Sequence, residues 1–223
     1  MKIIGIAGIK YSGKSEVASK IIQMYQDDYH IVKLHFALPI KKILAYFVKE
    51  VTDCSEEQSL EYFNDPKLKE KEILEIGATP RLLMTSFGTD FIRQLNSNLW
   101  INATNNSIRK LKEIEKTLNK EVMIIIDDIR FENELNFIRQ INAKVIFIAR
   151  EYSTIYPSFF DKLKIQYKVW RKKIHISEKG LYHLKDKNDI IILNDSNLYA
   201  LWGKIKYLCN FENNGENNVS NAN

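Results

Sequence analysis

The sequence has few cysteines and no long apolar run. Cys54 and Cys209 are the only cysteines among 223 residues, which is too few for a disulfide framework, and they do not have the spacing of metal ligands. No apolar run reaches the length of about eighteen residues that a membrane span needs, and no signal-peptide pattern begins the chain. These absences favour a cytoplasmic protein without a membrane partner.

The composition is that of an ordinary globular protein, with 45% hydrophobic and 27% charged residues. We find no internal repeat and no sign of a second hydrophobic core. The net charge is +5, and the segment 151–175 alone carries six basic and two acidic residues. A solvated basic face and a lid over phosphate groups both explain this segment.

A glycine-rich stretch at residues 8–15 has the spacing of a phosphate-binding P-loop, Gly-x-x-x-x-Gly-Lys-Ser. An apolar segment predicting a buried strand precedes it, and a segment with helical periodicity follows it. This order directs backbone N–H groups toward an anion. We expect Lys14 to reach the β- and γ-phosphates of ATP and Ser15 to hold Mg²⁺. The predicted ATP-binding residues are Gly8, Lys10, Ser12, Gly13, Lys14, Ser15 and Glu16.

Further strands are predicted at residues 31–36, 122–126, 143–148 and 190–193, with helical segments between them. Strands that alternate with helices predict an α/β fold, here a five-stranded, mostly parallel sheet with helices on both faces. We expect one domain over residues 1–211 and a disordered tail over residues 212–223. Within the domain, residues 38–118 form a helical substrate-binding region and residues 151–175 the lid.

The helical region contains a helix that Thr79 caps and Pro80 begins. Its apolar residues, at Leu83, Phe87, Phe91 and Leu95, fall on one predicted stripe. Arg81, Asp90 and Arg93 lie off that stripe. A further helix is predicted from Trp100 to Leu118.

Two carboxylates end the predicted strand at 122–126. A P-loop needs a carboxylate near Mg²⁺ at the end of a neighbouring strand, and Asp127 and Asp128 lie at that position. Strand alternation would direct only one of them to the metal, and capping of the next turn is the alternative. Arg130 follows at the same rim, where it is either a phosphate contact or a surface arginine.

The absence of other motifs narrows the class of P-loop protein. No Asp-x-x-Gly occurs, and Asn119-Lys120 is not followed by the aspartate of a guanine site. The second strand ends in His35-Phe36-Ala37, without the carboxylate that would deprotonate a hydroxyl acceptor. A phosphate acceptor needs only cations, such as Arg81, Arg93 and Arg130, which favours a nucleoside monophosphate. Another small-molecule kinase, for instance of a coenzyme precursor, and a nucleic-acid-binding ATPase remain alternatives.

Several stretches also resemble a known family. These are the P-loop, residues 36–41, Arg81 with residues 87–90 and Arg93, Trp100, residues 128–134 and residues 175–178. Together they resemble the deoxynucleoside monophosphate kinases of bacteriophages and related viruses, which are P-loop kinases. The resemblance implies Mg²⁺-dependent phosphorylation of a deoxynucleoside monophosphate by ATP for DNA synthesis. It also implies a possible homodimer, no stable binding of nucleic acid and, if the protein is viral, the host cytoplasm.

The resemblance also suggests roles for individual residues. The substrate-binding set is Lys41, Arg81, Asp90, Arg93, Trp100, Arg130 and Glu134. The catalytic set is Lys14 and Arg130, with Arg150 and Arg171 as candidate lid arginines, and the metal set is Ser15, Asp127 and Asp128. Which aspartate serves the metal is left open, because Asp127 adds an acid to the family-like pattern. His175 and Glu178 are either functional or structural caps.

Overall fold

The fold is taken from a computed structural model, which describes residues 1–151, 154, 156, 158–171 and 179–208. The chain forms two compact units. One consists of Met1–Lys33 and Ile114–Asn223, and the other of Leu34–Glu113. The predicted helical region, residues 38–118, falls almost entirely within the second unit. His175, Glu178, Cys209 and the tail at 212–223 lie outside the described residues.

The sheet has five strands in the order β2-β3-β1-β4-β5. Their bounds are β1 Lys2–Ala7, β2 His30–Leu34, β3 Val122–Ile129, β4 Lys144–Ala149 and β5 Ile190–Leu193. β1 pairs in parallel with both β3 and β4, and β4 pairs in parallel with β5. The predicted five-stranded, mostly parallel sheet is therefore confirmed.

The helices follow in chain order. They are α1 Lys14–Tyr25, α2 Leu38–Val51, α3 Glu56–Asn64, α4 Pro80–Thr85, α5 Arg93–Leu95, α6 Leu99–Glu115, α7 Glu132–Gln140, α8 Phe159–Trp170 and α9 Leu198–Leu208. Short 3₁₀ turns occur at Leu68–Glu70 and Tyr182–Leu184, and a π-helical turn occurs at Ser86–Ile92. In the part of the chain described, no helix is both long and apolar enough to cross a membrane.

Helices cover both faces of the sheet. On one face, Ile4 and Ile6 of β1 pack into a core with Val17 of α1 and Leu201 of α9. On the other face, Gly5 lies against α7, since a β-carbon there would be 2.8 Å from Cγ2 of Ile138. The three central strands β1, β3 and β4 are largely buried on both sides, which explains why they read as apolar runs rather than alternating ones.

The second unit has a hydrophobic core of its own, so the expectation of no second core was wrong. Val48 of α2, Phe63 of α3 and Trp100 of α6 are buried together with Leu44 and Ile73. Four of these residues come from helices that charged segments separate, and Ile73 forms an isolated β-bridge with Ala78. No single stretch of the sequence is therefore apolar enough to reveal the core.

The helix predicted from Pro80 begins as expected but does not remain regular. The Thr79 hydroxyl accepts the Leu82 N–H at 3.1 Å, and the π-helical turn then interrupts the helix from Ser86. An extra residue per turn shifts the helical phase, and Phe91 and Leu95 are 55% and 70% exposed. The predicted single apolar stripe was therefore wrong beyond Phe87.

The basic segment contains a helix that we did not predict. Ser158 caps α8 and accepts the Asp161 N–H, while the Asp161 carboxylate accepts the Ser158 N–H. The Ser-x-x-Asp pattern was the available signal for this capping box. Leu163, Tyr167 and Trp170 are exposed on this helix. The segment thus presents both charged and aromatic side chains to solvent.

Candidate active site

The P-loop connects β1 to α1 and depends on two of its glycines. Gly13 has a φ of 102°, and a β-carbon there would be 2.5 Å from Nδ2 of Asn194. A β-carbon on Gly8 would be 2.5 Å from the carbonyl oxygen of Ile148 and 2.6 Å from Oγ of Ser12. Both positions therefore need glycine, the first for its backbone conformation and both for space.

Side chains from neighbouring segments hold the outer side of the loop. Arg150, which follows β4, donates from Nε to the Tyr11 carbonyl at 2.8 Å. Asn194, which follows β5, donates from Nδ2 to the Ser12 carbonyl at 3.0 Å. The Tyr182 hydroxyl accepts the Ile9 N–H at 3.1 Å. Asn194 and Tyr182 were not predicted, because nothing near them in the sequence indicates that they lie beside the loop.

The ammonium group of Lys14 lies within the loop. Its Nζ donates to the carbonyls of Gly8 and Ile9, each at 2.7 Å, which leaves one of its three N–H groups for a phosphate oxygen. The pKa of Lys14 is lowered to about 8, mainly by burial and also by the nearby Arg130, while Asp127 and Asp128 oppose the shift. Lys14, both aspartates and Arg130 are thus brought close enough to interact electrostatically.

The two aspartates lie at an irregularity of β3. β1 pairs Gly5 with Ile126 but Ala7 with Ile129, so β3 has an extra residue where Asp127 and Asp128 stand. Such a bulge redirects side chains, and simple strand alternation does not apply there. The buried Asp127 forms an ion pair with Lys33, with 2.7 Å between Oδ2 and Nζ. Asp128 is half-buried.

Arg130 follows β3 and is held through its backbone. The Glu134 carboxylate accepts the N–H groups of Arg130, at 2.8 Å, and of Phe131, at 3.1 Å. This caps the start of α7 and leaves the side chain of Arg130 exposed at the rim of the sheet. Glu134 itself is buried. Its described contacts are structural, and its predicted contact with a substrate stays a prediction.

The side chains at the loop fit Mg²⁺ held largely by a bound nucleotide. Mg²⁺ usually keeps several waters and takes one or two protein oxygens together with phosphate oxygens. Ser15 at the start of α1 and Asp128 at the end of β3 offer such a pair. Within the described ranges, no cluster of three or more His, Cys, Asp or Glu could hold a metal by itself. The Ser12 hydroxyl of the P-loop is buried and makes no hydrogen bond to any of the described residues.

The other residues predicted in the first unit lie in varied surroundings. Glu16 accepts the indole N–H of Trp202 at 3.3 Å, which ties the first turn of α1 to α9. Lys10 lies over the ring of Tyr11, with its Nζ 4.9 Å from the ring centre. Arg171, at the end of α8, is exposed. The described contacts therefore bring Arg150, but not Arg171, to the P-loop.

The predicted substrate residues of the second unit form their own contacts. Arg81 forms an ion pair with Glu70, and Lys41 donates to Asn64 Oδ1 at 3.0 Å. Arg93 makes a long contact of 3.4 Å with the Ser97 carbonyl, and Asp90 is exposed. Each of these four predicted contacts with a substrate stays a prediction.

Trp100 is part of the core of the second unit. It is 1% exposed, and its indole N–H donates to the Gly88 carbonyl of the π-helical turn at 3.0 Å. A β-carbon on Gly88 would be 2.6 Å from Cδ1 of Ile40, so α2 approaches this turn closely. These contacts give Trp100 a structural role and do not support its predicted contact with a substrate.

A parallel α/β sheet with a P-loop after β1, a lysine in the loop and carboxylates at the end of β3 is typical of P-loop proteins that bind nucleoside triphosphates. Residues 68–205 match the family model for deoxynucleotide monophosphate kinase. The chain is also 30% identical over 209 residues to a protein of Acanthamoeba polyphaga mimivirus described as "Putative deoxynucleotide monophosphate kinase". That similarity covers 92% of this chain and 94% of the viral protein.

The chain belongs to the deoxynucleotide monophosphate kinase family. The predicted family and the predicted deoxynucleoside monophosphate kinase function are thereby confirmed.

Proposed function

We propose that this kinase transfers the γ-phosphate of ATP to a deoxynucleoside 5′-monophosphate, with the loop at residues 8–15 as the ATP site and with Mg²⁺ bound. The observation that carries this proposal is the position of Lys14, whose ammonium lies inside the loop and interacts electrostatically with Asp127, Asp128 and Arg130. A cation at this position can follow the migrating phosphoryl group.

Different hydrogen-bond donors of the loop would bind different phosphate groups of ATP. The N–H groups at the start of α1 would bind the β-phosphate, and the third N–H of Lys14 would bind the γ-phosphate. Ser15 and Asp128 would hold Mg²⁺, which would supply neutralisation of phosphate charge when bound. Asp128 is favoured over Asp127 because Asp127 is buried, whereas Asp128 is only half-buried and is therefore more accessible to a metal ion.

The acceptor is proposed to be held by cations rather than deprotonated by a base. A phosphate oxygen is already ionised, so positioning and charge neutralisation are enough for transfer. Arg81, Arg93 and Arg130 stay the proposed cationic partners of the monophosphate. Lys41 and Asp90 are proposed to orient the rest of the nucleotide. Arg150 is the favoured lid arginine because it already contacts the loop at Tyr11.

The test is a paired assay of the four deoxynucleosides against their 5′-monophosphates, with ATP and Mg²⁺ fixed. We expect at least one monophosphate to yield the diphosphate and ADP. A site built for a dianion leaves its arginines unpaired without the phosphate, so discrimination against nucleosides should reach about 10³-fold. Comparable rates on any nucleoside would overturn the phosphate-acceptor argument. Inactivity on every monophosphate would favour another small-molecule kinase.

Adding DNA to the assay tests the alternative that the protein is a nucleic-acid-binding ATPase. A nucleic-acid-binding ATPase should hydrolyse ATP faster when single- or double-stranded DNA is added, whereas the kinase proposed here should not respond. We propose free nucleotides as its partners and the cytoplasm, of the host if the protein is viral, as its location. A homodimer is also proposed, and sedimentation analysis of the purified protein tests it.

A further inference from the structure

A buried phenol links the P-loop to the end of β4. Tyr182 is 4% exposed, and its hydroxyl accepts the Ile9 N–H at 3.1 Å while donating to the Ile148 carbonyl at 2.7 Å. Burial raises the pKa of Tyr182, so the hydroxyl keeps the proton that it donates. Both partners are backbone groups, and no other side-chain type of this size offers a donor and an acceptor on one atom.

The turn before Tyr182 is shaped to lie against the loop. Gly180 has a φ of 79°, and a β-carbon there would be 3.0 Å from Cγ2 of Ile9 and 3.1 Å from the ring of Tyr182. The ring of Phe147 also packs against Tyr182, with 6.0 Å between the ring centres. The phenol is therefore fixed by packing as well as by its hydrogen bonds.

Asn194 makes a comparable connection at the other end of the loop. Its own N–H donates to the Ala149 carbonyl at 2.7 Å, which anchors its backbone to β4. Its side-chain Nδ2 then donates to the Ser12 carbonyl at 3.0 Å. Ile9 and Ser12 flank the middle of the loop, so the two connections fix the peptide groups on either side of it.

We propose that Tyr182 and Asn194 are positioning residues that hold the P-loop in its phosphate-binding conformation before ATP arrives. Neither acts on the phosphates directly; each acts through the backbone that it holds. A loop ordered in advance loses less conformational freedom on binding, which raises affinity for the triphosphate. The inference rests on the proposed function only in that the loop binds ATP.

The variants Tyr182→Phe and Asn194→Ala test this inference. Calorimetric titration with a non-hydrolysable ATP analogue and Mg²⁺ measures the affinity of the loop for a triphosphate without any turnover. Each variant should bind the analogue about tenfold more weakly, as expected when a buried backbone group loses its partner. In kinetic assays the KM for ATP should rise, while the KM for the monophosphate should stay within about twofold.

Tyr29→Phe is the matched control. Tyr29 is 8% exposed in the same unit, and its hydroxyl accepts a hydrogen bond from Lys2 away from the loop. The control should lower the melting temperature without changing the affinity for the analogue. Equal weakening of analogue binding in Tyr29→Phe would overturn the inference, because the effect would then be general destabilisation.

Normal affinity for the ATP analogue in folded Tyr182→Phe and Asn194→Ala would also overturn the inference that these residues position the loop. If Tyr182→Phe fails to fold, Asn194→Ala decides by itself. Because the titration contains no acceptor, the wild type could bind the analogue normally yet phosphorylate no monophosphate. That result would contradict the proposed function without contradicting this inference.

Discussion

Lys33 on β2 lies 2.7 Å from Asp127 on β3, measured between Nζ and Oδ2, and this ion pair holds the more buried of two adjacent aspartates. The Asp127 side chain is only 5% exposed, so its charge is balanced inside the protein. Asp128 follows within the same bulge and is half-buried. The difference in burial therefore favours a structural role for Asp127 and a metal-binding role for the more accessible Asp128.

The substitutions Asp127→Asn and Asp128→Asn should consequently have different effects. Asp128→Asn should lower kcat about 10²-fold and raise the Mg²⁺ concentration needed for half-maximal rate. Asp127→Asn should mainly lower the free energy of unfolding, by about 1.5–3 kcal/mol, because Lys33 loses a charged partner. Magnesium titrations and urea unfolding measure the two effects. The reverse pattern would exchange the two roles.

Lys14→Ala should lower kcat about 10²-fold or more, because the migrating phosphoryl group loses a preorganised cation. The fold should persist, which circular dichroism can check. Lys20→Ala is the control, since Lys20 lies on the same helix but donates to Gln23. Near-normal turnover of the purified Lys14→Ala variant would contradict the assignment of this loop as the catalytic ATP site.

The kcat/KM for ATP should fall as the pH rises through about 8. In the free enzyme Lys14 has a pKa of about 8, mainly through burial, so its ammonium is charged below that pH and neutral above it. If only the charged form binds ATP, the decrease approaches about tenfold per pH unit. Bound phosphates favour the ammonium, so kcat at saturating ATP should fall only at higher pH. A flat kcat/KM profile up to pH 10 would contradict this assignment.

Arg93→Ala should raise the KM for the monophosphate far more than the KM for ATP. A charge-assisted contact contributes about 1.5–3 kcal/mol, which corresponds to about 10- to 150-fold in affinity. Arg109→Ala, an exposed arginine on α6 of the same unit, should change neither constant. Initial-rate measurements with each substrate varied in turn give the two KM values. An equal rise in the KM for both substrates would indicate a folding effect.

Proteolysis tests the predicted lid. Closure of the basic segment over the phosphates would exclude water and limit wasteful hydrolysis of ATP. Cleavage by trypsin within residues 151–175 should therefore slow when a bisubstrate analogue is bound, and slow less with a nucleoside alone. The same cleavage pattern with and without saturating analogue would count against a lid.

The sequence by itself determined the sheet and the loop. The strand Val122–Ile129 begins with an unbroken apolar run over residues 122–126 because both faces of the sheet are covered, and this pattern is visible in a short window of residues. The P-loop is equally local, because its two glycines, Lys14 and Ser15 fall within eight positions. A local pattern suffices wherever the structure depends on residues that are close in the chain.

Tertiary structure decided the rest of the site and the second core. The role of Asp127 depends on Lys33 of a neighbouring strand and on the bulge where β3 pairs with β1. Tyr182 reaches Ile9 across 173 positions of sequence. Trp100 meets Gly88 only because the π-helical turn presents that carbonyl to it. Each of these contacts joins residues through packing and register, which no local pattern of residue types encodes.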